Sequence, residues 1–571
     1  MMPSLRLSWP DSLRKDVEAV VDEWTVGQKI RRLWDRDATL WTDSGEQNWL
    51  GWLAVTDGAA DRCRLLVEFA DEVRADGFRH VAVLGMGGSS LCCDVLSRAF
   101  GPRAGYPRLS ILDSTDPRQI AAFDARLDLR TTLFFVSSKS GSTLEPNVLM
   151  AYYFDRMVQT VGADAAGEHF AAVTDPGSAL EAAAGANRFR RIMPGLPDVG
   201  GRFSALTNFG LAPAAVAGID VTRLLDRANR MACACSPSAP AADNPGLVLG
   251  AALGAAAMRH GVDKVTIIAS PAVASFGGWL EQLLAESTGK HGKGLIPVDG
   301  EGLFPPEHYG PDRHFVYLRW AAALDSDQER GVAALEAAGR PVVQVELSDA
   351  CDVGREFFRW EFATAVAGAV MELDPFNQPD VEASKVATRE LTSAYEQSGR
   401  LPGESPFLVD RGIALYADAR NLSQLNLPPG GATVSDALAA HLMRISPGDY
   451  FAILAFVDMC EEFDVELRKI RRSVCAATSV ATCLGYGPRF LHSTGQAYKG
   501  GPDSGVFLQI TCDDPDDLPI PGRAGTFGVI KQAQARGDFQ VLADRRRRAL
   551  RVHLAAPVSA NLRRLRELLS D

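Results

Sequence analysis

Residues 135–146 read Phe-Val-Ser-Ser-Lys-Ser-Gly-Ser-Thr-Leu-Glu-Pro. The apolar run from Leu133 to Val136 has the composition of a buried strand. It opens into a loop of hydroxyls, Ser137, Ser138, Ser140, Ser142 and Thr143, around Gly141. A helix is expected next, with Glu145 in its first turn. Hydroxyls and free backbone amides at a helix N-terminus form a pocket for a phosphate. Lys139 adds one positive charge. A serine-rich turn with a helix cap uses the same residue types. The choice turns on whether other segments bring a sugar and a base to that phosphate.

Composition narrows the field. A chain of 571 residues allows about three or four domains. With 46% hydrophobic and 23% charged residues it reads as an ordinary globular protein. A net charge of -12 argues against nucleic acid or an anionic membrane as the main partner. No basic stretch followed by an apolar core opens the chain, and no apolar run approaches the ~18–20 residues that span a bilayer. The ten cysteines are scattered without a CxxC pair or zinc spacing. Reduced thiols in a cytoplasmic protein are the expectation.

Outward from the loop, residues 1–75 read as a helical segment. It carries Trp24, Trp34, Trp41, Trp49 and Trp52, a composition that docks rather than trails, and it is expected to pack on the first domain. His80 to Gly85 is a strand, followed by Gly87-Gly88-Ser89-Ser90 and a helix. The glycine spacing is not the dinucleotide fingerprint. Strands at Leu109–Leu112 and Phe170–Thr174 alternate with helices, the pattern of a doubly wound parallel sheet in an α/β fold. Ligands of such sheets lie at the C-terminal strand ends, where Gly88, Ser89 and the Ser138–Thr143 loop fall. Gly200-Gly201-Arg202-Phe203-Ser204 places a guanidinium beside backbone that can approach a ligand closely, to hold a phosphate or steady an oxyanion.

A second unit follows a Pro-rich linker at 236–246. Its strand Lys264–Ser270 leads into a helix ending Glu286-Ser-Thr-Gly-Lys290. A carboxylate at a helix C-terminus opposes the dipole at a cost of roughly 0.3–1 kcal/mol. That placement suits a general base for a carbon-bound proton. Glu281 is expected to face solvent. Gln378 and Lys385 are seven apart, which on one helix would align them toward one pocket. Residues 399–431 read as a linker, and 432–571 as a smaller α/β unit with a charged helix at 458–472.

Together these stretches resemble the glucose-6-phosphate isomerase family, most closely the isomerase portion of bacterial transaldolase–isomerase fusions. The matching motifs are Gly87-Gly88-Ser89, Ser138–Thr143, Gly200–Ser204, Glu286–Lys290 and Phe376–Lys385, the last with Asn377 where the family has Asp. The resemblance implies two sugar-isomerase (SIS) domains, 76–240 with the phosphate loop and 246–396 with the base, and a cap over 432–571. It implies that Ser138, Lys139, Ser140, Ser142 and Thr143, with Gly88 and Ser89, hold the sugar phosphate. Glu286 would move the proton between C2 and C1, Arg202 would stabilise the cis-enediolate, and Gln378 would line the site. Lys385, with a histidine, would open the ring. No metal or nucleotide is required.

The family's ring-opening histidine lies between the base helix and the Gln…Lys signature and comes from a neighbouring subunit. Here Phe490-Leu-His-Ser-Thr-Gly-Gln496, past Lys385, looks like that histidine's setting. His492 is therefore the candidate, supplied in cis by the cap, and the chain is expected to work as a monomer or homodimer, with a functional link to a transaldolase. Two alternatives remain at this point: an isomerase that also accepts mannose 6-phosphate, and a non-catalytic SIS module that binds sugar phosphate.

Overall fold

The apolar run that opens the quoted stretch is wholly buried as the strand Thr132–Ser137. The computed structural model describes residues 5–428 and 430–570. Thr132–Ser137 is the middle strand of a five-stranded parallel sheet in the spatial order Arg108–Leu112, His80–Gly85, Thr132–Ser137, Phe170–Thr174, Arg191–Pro194. Helices cover both faces, which is why its strands are continuous apolar runs rather than alternating ones.

The second sheet is ordered Arg6–Ser8, Val342–Leu347, Arg313–Trp320, Lys264–Ala269, Ile296–Asp299. Only its first strand, from the N-terminal segment, runs antiparallel. That segment therefore does not dock on the first unit alone. Its strand extends the second sheet, Trp41 donates its indole N–H to the Ala365 carbonyl at 2.8 Å, and Trp52 packs on Phe203, Phe358 and Phe362. One continuous apolar core joins it to the first two units.

The third sheet has six strands, in the order Leu408–Asp410, Ile413–Tyr416, Arg548–Leu554, Gly505–Cys512, Tyr450–Phe456, Ala481–Tyr486. The first two come from the segment expected to be a linker, and they close the sheet with antiparallel pairs. The other four are parallel, so this unit is also doubly wound. It straddles the other two. Phe527 and Ile530 pack on the helix-covered face of the first sheet, and Tyr450, Phe490 and Tyr498 pack on Ala285, Ile296 and Val298 of the second. All ten cysteines are free thiols. No helix among the described residues is long and apolar enough to cross a membrane.

Candidate active site

Two glycine turns meet back to back beneath the cleft. A Cβ on Gly88 would lie 1.9 Å from the Gly201 carbonyl oxygen, so Gly is required for the contact. Gly88→Ala is expected to lower thermal stability by about 1–3 kcal/mol or more, the cost of forcing backbones apart, read as a drop in Tm. Gly87, at φ +55°, approaches the Gln282 amide and the His492 carbonyl. Ser89 is buried within this turn.

The Gly200-Gly201 turn presents Arg202, and Phe203 anchors it between Trp52 and Phe376 at 5.4 and 5.2 Å. Arg202 is buried, yet all its nitrogens are engaged. Nε donates to Ser287 Oγ at 2.9 Å, Nη1 to Gln378 Oε1 at 3.0 Å, and Nη2 to the Pro375 and Asn377 carbonyls at 2.7 and 2.8 Å. Nη1 also lies 3.3 Å from Glu286 Oε2. Burial is the strongest influence on this guanidinium and holds its pKa below the ordinary value, against the opposing pull of Glu286 and Asp374.

Glu286 stands in the last turn of the helix Phe276–Thr288 and is 8% exposed. Gln282, one turn earlier on the same face, donates to Glu286 Oε2 at 3.2 Å and to the His492 carbonyl at 2.9 Å. Glu281 is not the solvent-facing residue expected of it. It lies toward Asp299, and burial, then the Asp299 charge, holds its carboxyl well above the usual range.

His492 ends the short turn Arg489–His492 after the strand Ala481–Tyr486 of the third sheet. Its Nε2 is 2.9 Å from Oε1 of Glu145, in the first turn of the helix that follows the serine loop. The same oxygen accepts from Gln534 Nε2 at 2.6 Å. Burial would raise the Glu145 pKa, but the His492 charge and hydrogen bonds outweigh it and hold it low. One chain of contacts thus runs from the serine-loop helix through His492 and Gln282 to Glu286, Arg202 and Gln378.

In the loop itself, Ser138 Oγ donates to Thr143 Oγ1 at 3.4 Å, and the Ser140 and Ser142 hydroxyls are 2.8 Å apart. Thr143 occupies the N-cap position of the helix Leu144–Val161 with no capping side-chain bond, and Pro146 in the first turn has no N–H, so the hydroxyls rather than a row of amides face a ligand. A Cβ on Gly141, at φ +68°, would meet the Leu180 amide nitrogen at 2.4 Å, which fixes the loop's shape. Lys139 is a correction. Its ammonium turns away from the hydroxyls to the Asp175 carboxylate and to the Leu196 and Pro197 carbonyls at 3.0 and 3.2 Å. It braces the back of the loop.

Lys385 is a second correction. Its side chain is 51% exposed and pairs with Glu382 at 3.3 Å. The helix begins only at Val381, after Pro379, so Gln378 lies in the preceding turn and the two residues share no helix face. Sequence reasoning missed Gln282, whose four-residue spacing to Glu286 was visible. It also gave no role to Glu145, noted only as a first-turn carboxylate, or to Gln534, which carried no local signal.

A model of the phosphoglucose isomerase family matches residues 69–295. A glucose-6-phosphate isomerase of Rubrobacter xylanophilus is 30% identical over 387 residues, covering 59% of this chain and 86% of that protein. A probable glucose-6-phosphate isomerase of Methanococcus maripaludis is 26% identical, covering 61% and 85%. Among solved structures, a hypothetical protein of Thermus thermophilus superposes with TM-score 0.56 at 25% identity, over 68% of this chain and 99% of that one. A glucose-6-phosphate isomerase of Chlamydia trachomatis shares the fold at TM-score 0.56 and 20% identity, over 69% and 89%. The third sheet lies beyond the stretch that the family model matches. On this similarity and on the α/β fold, the chain belongs to the glucose-6-phosphate isomerase family.

Proposed function

We propose that the protein is a glucose-6-phosphate isomerase that interconverts glucose 6-phosphate and fructose 6-phosphate by proton transfer through a cis-enediolate. The observation that carries this reading is the Glu286–Arg202 pair, 3.3 Å apart at the end of a buried helix. A carboxylate base next to a guanidinium supplies both needs of the reaction, because the Nη1 donor that faces Glu286 is freed for the substrate once that carboxylate takes up a proton. The base carries a proton between adjacent carbons, and the cation steadies the oxyanion that forms between the two transfers. The sugar phosphate is held by the Ser138, Ser140, Ser142 and Thr143 hydroxyls at the start of the Leu144–Val161 helix. Gln378 positions Arg202. His492, held by Glu145, opens the ring.

In this reading the third unit brings His492 to the cleft from the same chain, so one subunit contains every group the reaction uses. His492→Ala is expected to lower kcat on ring-forming hexose phosphates by about 10²-fold, the worth of a positioned acid–base group. It should leave a four-carbon aldose phosphate, too short to form a pyranose, converted near the wild-type rate. Equal losses on both substrates would contradict the ring-opening role. The reading as a whole is tested by adding fructose 6-phosphate to the purified protein and following glucose 6-phosphate, with mannose 6-phosphate assayed in parallel. Failure to produce either aldose would leave a binding module.

A further inference from the structure

Lys290 takes part in neither the proton transfer nor the phosphate binding, yet its surroundings are built around it. It lies just past the end of the Glu286 helix and is completely buried. Its Nζ donates to the Asp374 carbonyl at 2.7 Å, the Asn377 carbonyl at 2.6 Å and Asn377 Oδ1 at 2.9 Å. Three ammonium protons meet three acceptors, all on the turn 374–378. Arg202 holds the same turn by the Pro375 and Asn377 carbonyls, and the turn offers Gln378 back to Arg202. Two buried cations therefore share one short piece of backbone.

The charged groups facing Lys290 are Arg202, Asp374, Glu286 and Asp380. None of the carboxylates pairs with it among the described residues. The Asp374 carboxylate accepts from the Phe376 amide at 2.8 Å, and Asp380 is held by Gln496 and Arg545. The side chain nearest the ammonium, Asn377, is a neutral amide. Burial, then the charge of Arg202, pulls the Lys290 pKa down to about 7.

We propose that Lys290 is a positioning residue of this site: its ammonium clamps the 374–378 turn to the end of the Glu286 helix, fixes Gln378 against Arg202, and holds only while all three of its protons are in place. This rests on the isomerase reading and extends it. A neutral amine has two protons and a lone pair. With three acceptors aimed at it, one oxygen then faces the lone pair, and the turn is released. Gln378 withdraws from Arg202 Nη1, which is left to pair more tightly with Glu286. A carboxylate held in that way is a weaker base, so turnover falls as pH rises.

The test is the pH profile of kcat on fructose 6-phosphate for the wild type, Asn377→Asp and Lys290→Gln. In Asn377→Asp a carboxylate stands beside the ammonium, and the alkaline limb is expected to move up by about 1–3 pH units. Lys290→Gln is expected to lose about 10²-fold in kcat, the order of effect of a displaced catalytic group, with KM changed far less. An unmoved or lowered limb in Asn377→Asp, or full kcat in a folded Lys290→Gln, overturns the clamp. Should Lys290→Gln not fold, Asn377→Asp decides alone. An inactive wild type would refute the isomerase reading instead. The clamp would then be read by NMR of lysine-labelled protein, where it requires a Lys290 signal that titrates near neutrality and moves up in Asn377→Asp. A Lys290 signal that titrates only in the range of exposed lysines overturns it.

Discussion

Glu286→Gln is expected to lose about 10²–10⁴-fold in kcat, the typical contribution of a positioned proton-transfer group, while KM for fructose 6-phosphate changes little. The amide has nearly the shape of the carboxylate, so the Gln282 and Arg202 contacts keep an oxygen acceptor and the buried helix end keeps its packing. What is lost is the basicity of the carboxylate, which an amide oxygen does not have, and with it the group that takes a proton from carbon. The coupled assay that follows glucose 6-phosphate measures this directly. A Glu286→Gln enzyme with near-wild-type turnover would remove the base from the account.

Arg202→Lys carries the second large effect, with a different signature. Lysine keeps the charge but not the planar fork. It cannot reach Ser287, Gln378, Glu286 and the Pro375 and Asn377 carbonyls together. Losing a preorganised donor to the enediolate oxyanion should cost on the order of 2.7–4 kcal/mol in the barrier, about 10²–10³-fold in kcat. The released carbonyls of the 374–378 turn are buried, so Tm should fall as well. Glu286→Gln is expected to spare Tm. A fall in kcat with Tm unchanged in Arg202→Lys would mean that the arginine acts on the substrate without organising the turn.

Much of this arrangement was legible in residue order because it is local. The apolar strand emptying into hydroxyls, the paired glycines before Arg202, and the carboxylate at the end of an apolar helix each follow from short-range rules. The structure brings Arg202, Glu286, Gln378 and His492 into one connected cluster. Most of the misreadings involve partners far along the chain; Lys385 is the local exception. Lys139 looked like a phosphate ligand because nothing nearby competes for it, and its actual acceptors, Asp175 and the Leu196 and Pro197 carbonyls, reach it only through the fold. Lys385 was placed by counting helical turns across Pro379, where the helix had not yet begun. The strands Leu408–Asp410 and Ile413–Tyr416 are too short to show a period, and they form because the edge of the third sheet offers them a partner. Glu145 and Gln534 gain meaning only when the third unit folds over the serine loop and delivers His492.

The cluster also explains why a tryptophan-rich segment precedes the first sheet. Trp52 packs on Phe203 beside Arg202, and Trp41 meets Phe376 at 5.3 Å in the turn that Lys290 and Arg202 hold. These rings fix the two segments that carry the guanidinium and its acceptors, and aromatic pairs of this kind add about 0.5–1.5 kcal/mol each beyond the area they bury.

In the proposed reaction one carboxylate moves a proton between neighbouring carbons of a hexose phosphate. The most direct measurement is proton NMR of fructose 6-phosphate incubated with the purified protein in D₂O. Glucose 6-phosphate should accumulate with solvent deuterium at C2, because a proton resting on Glu286 can exchange before it is returned. No aldose product, or product free of deuterium at every pH tested, would contradict it.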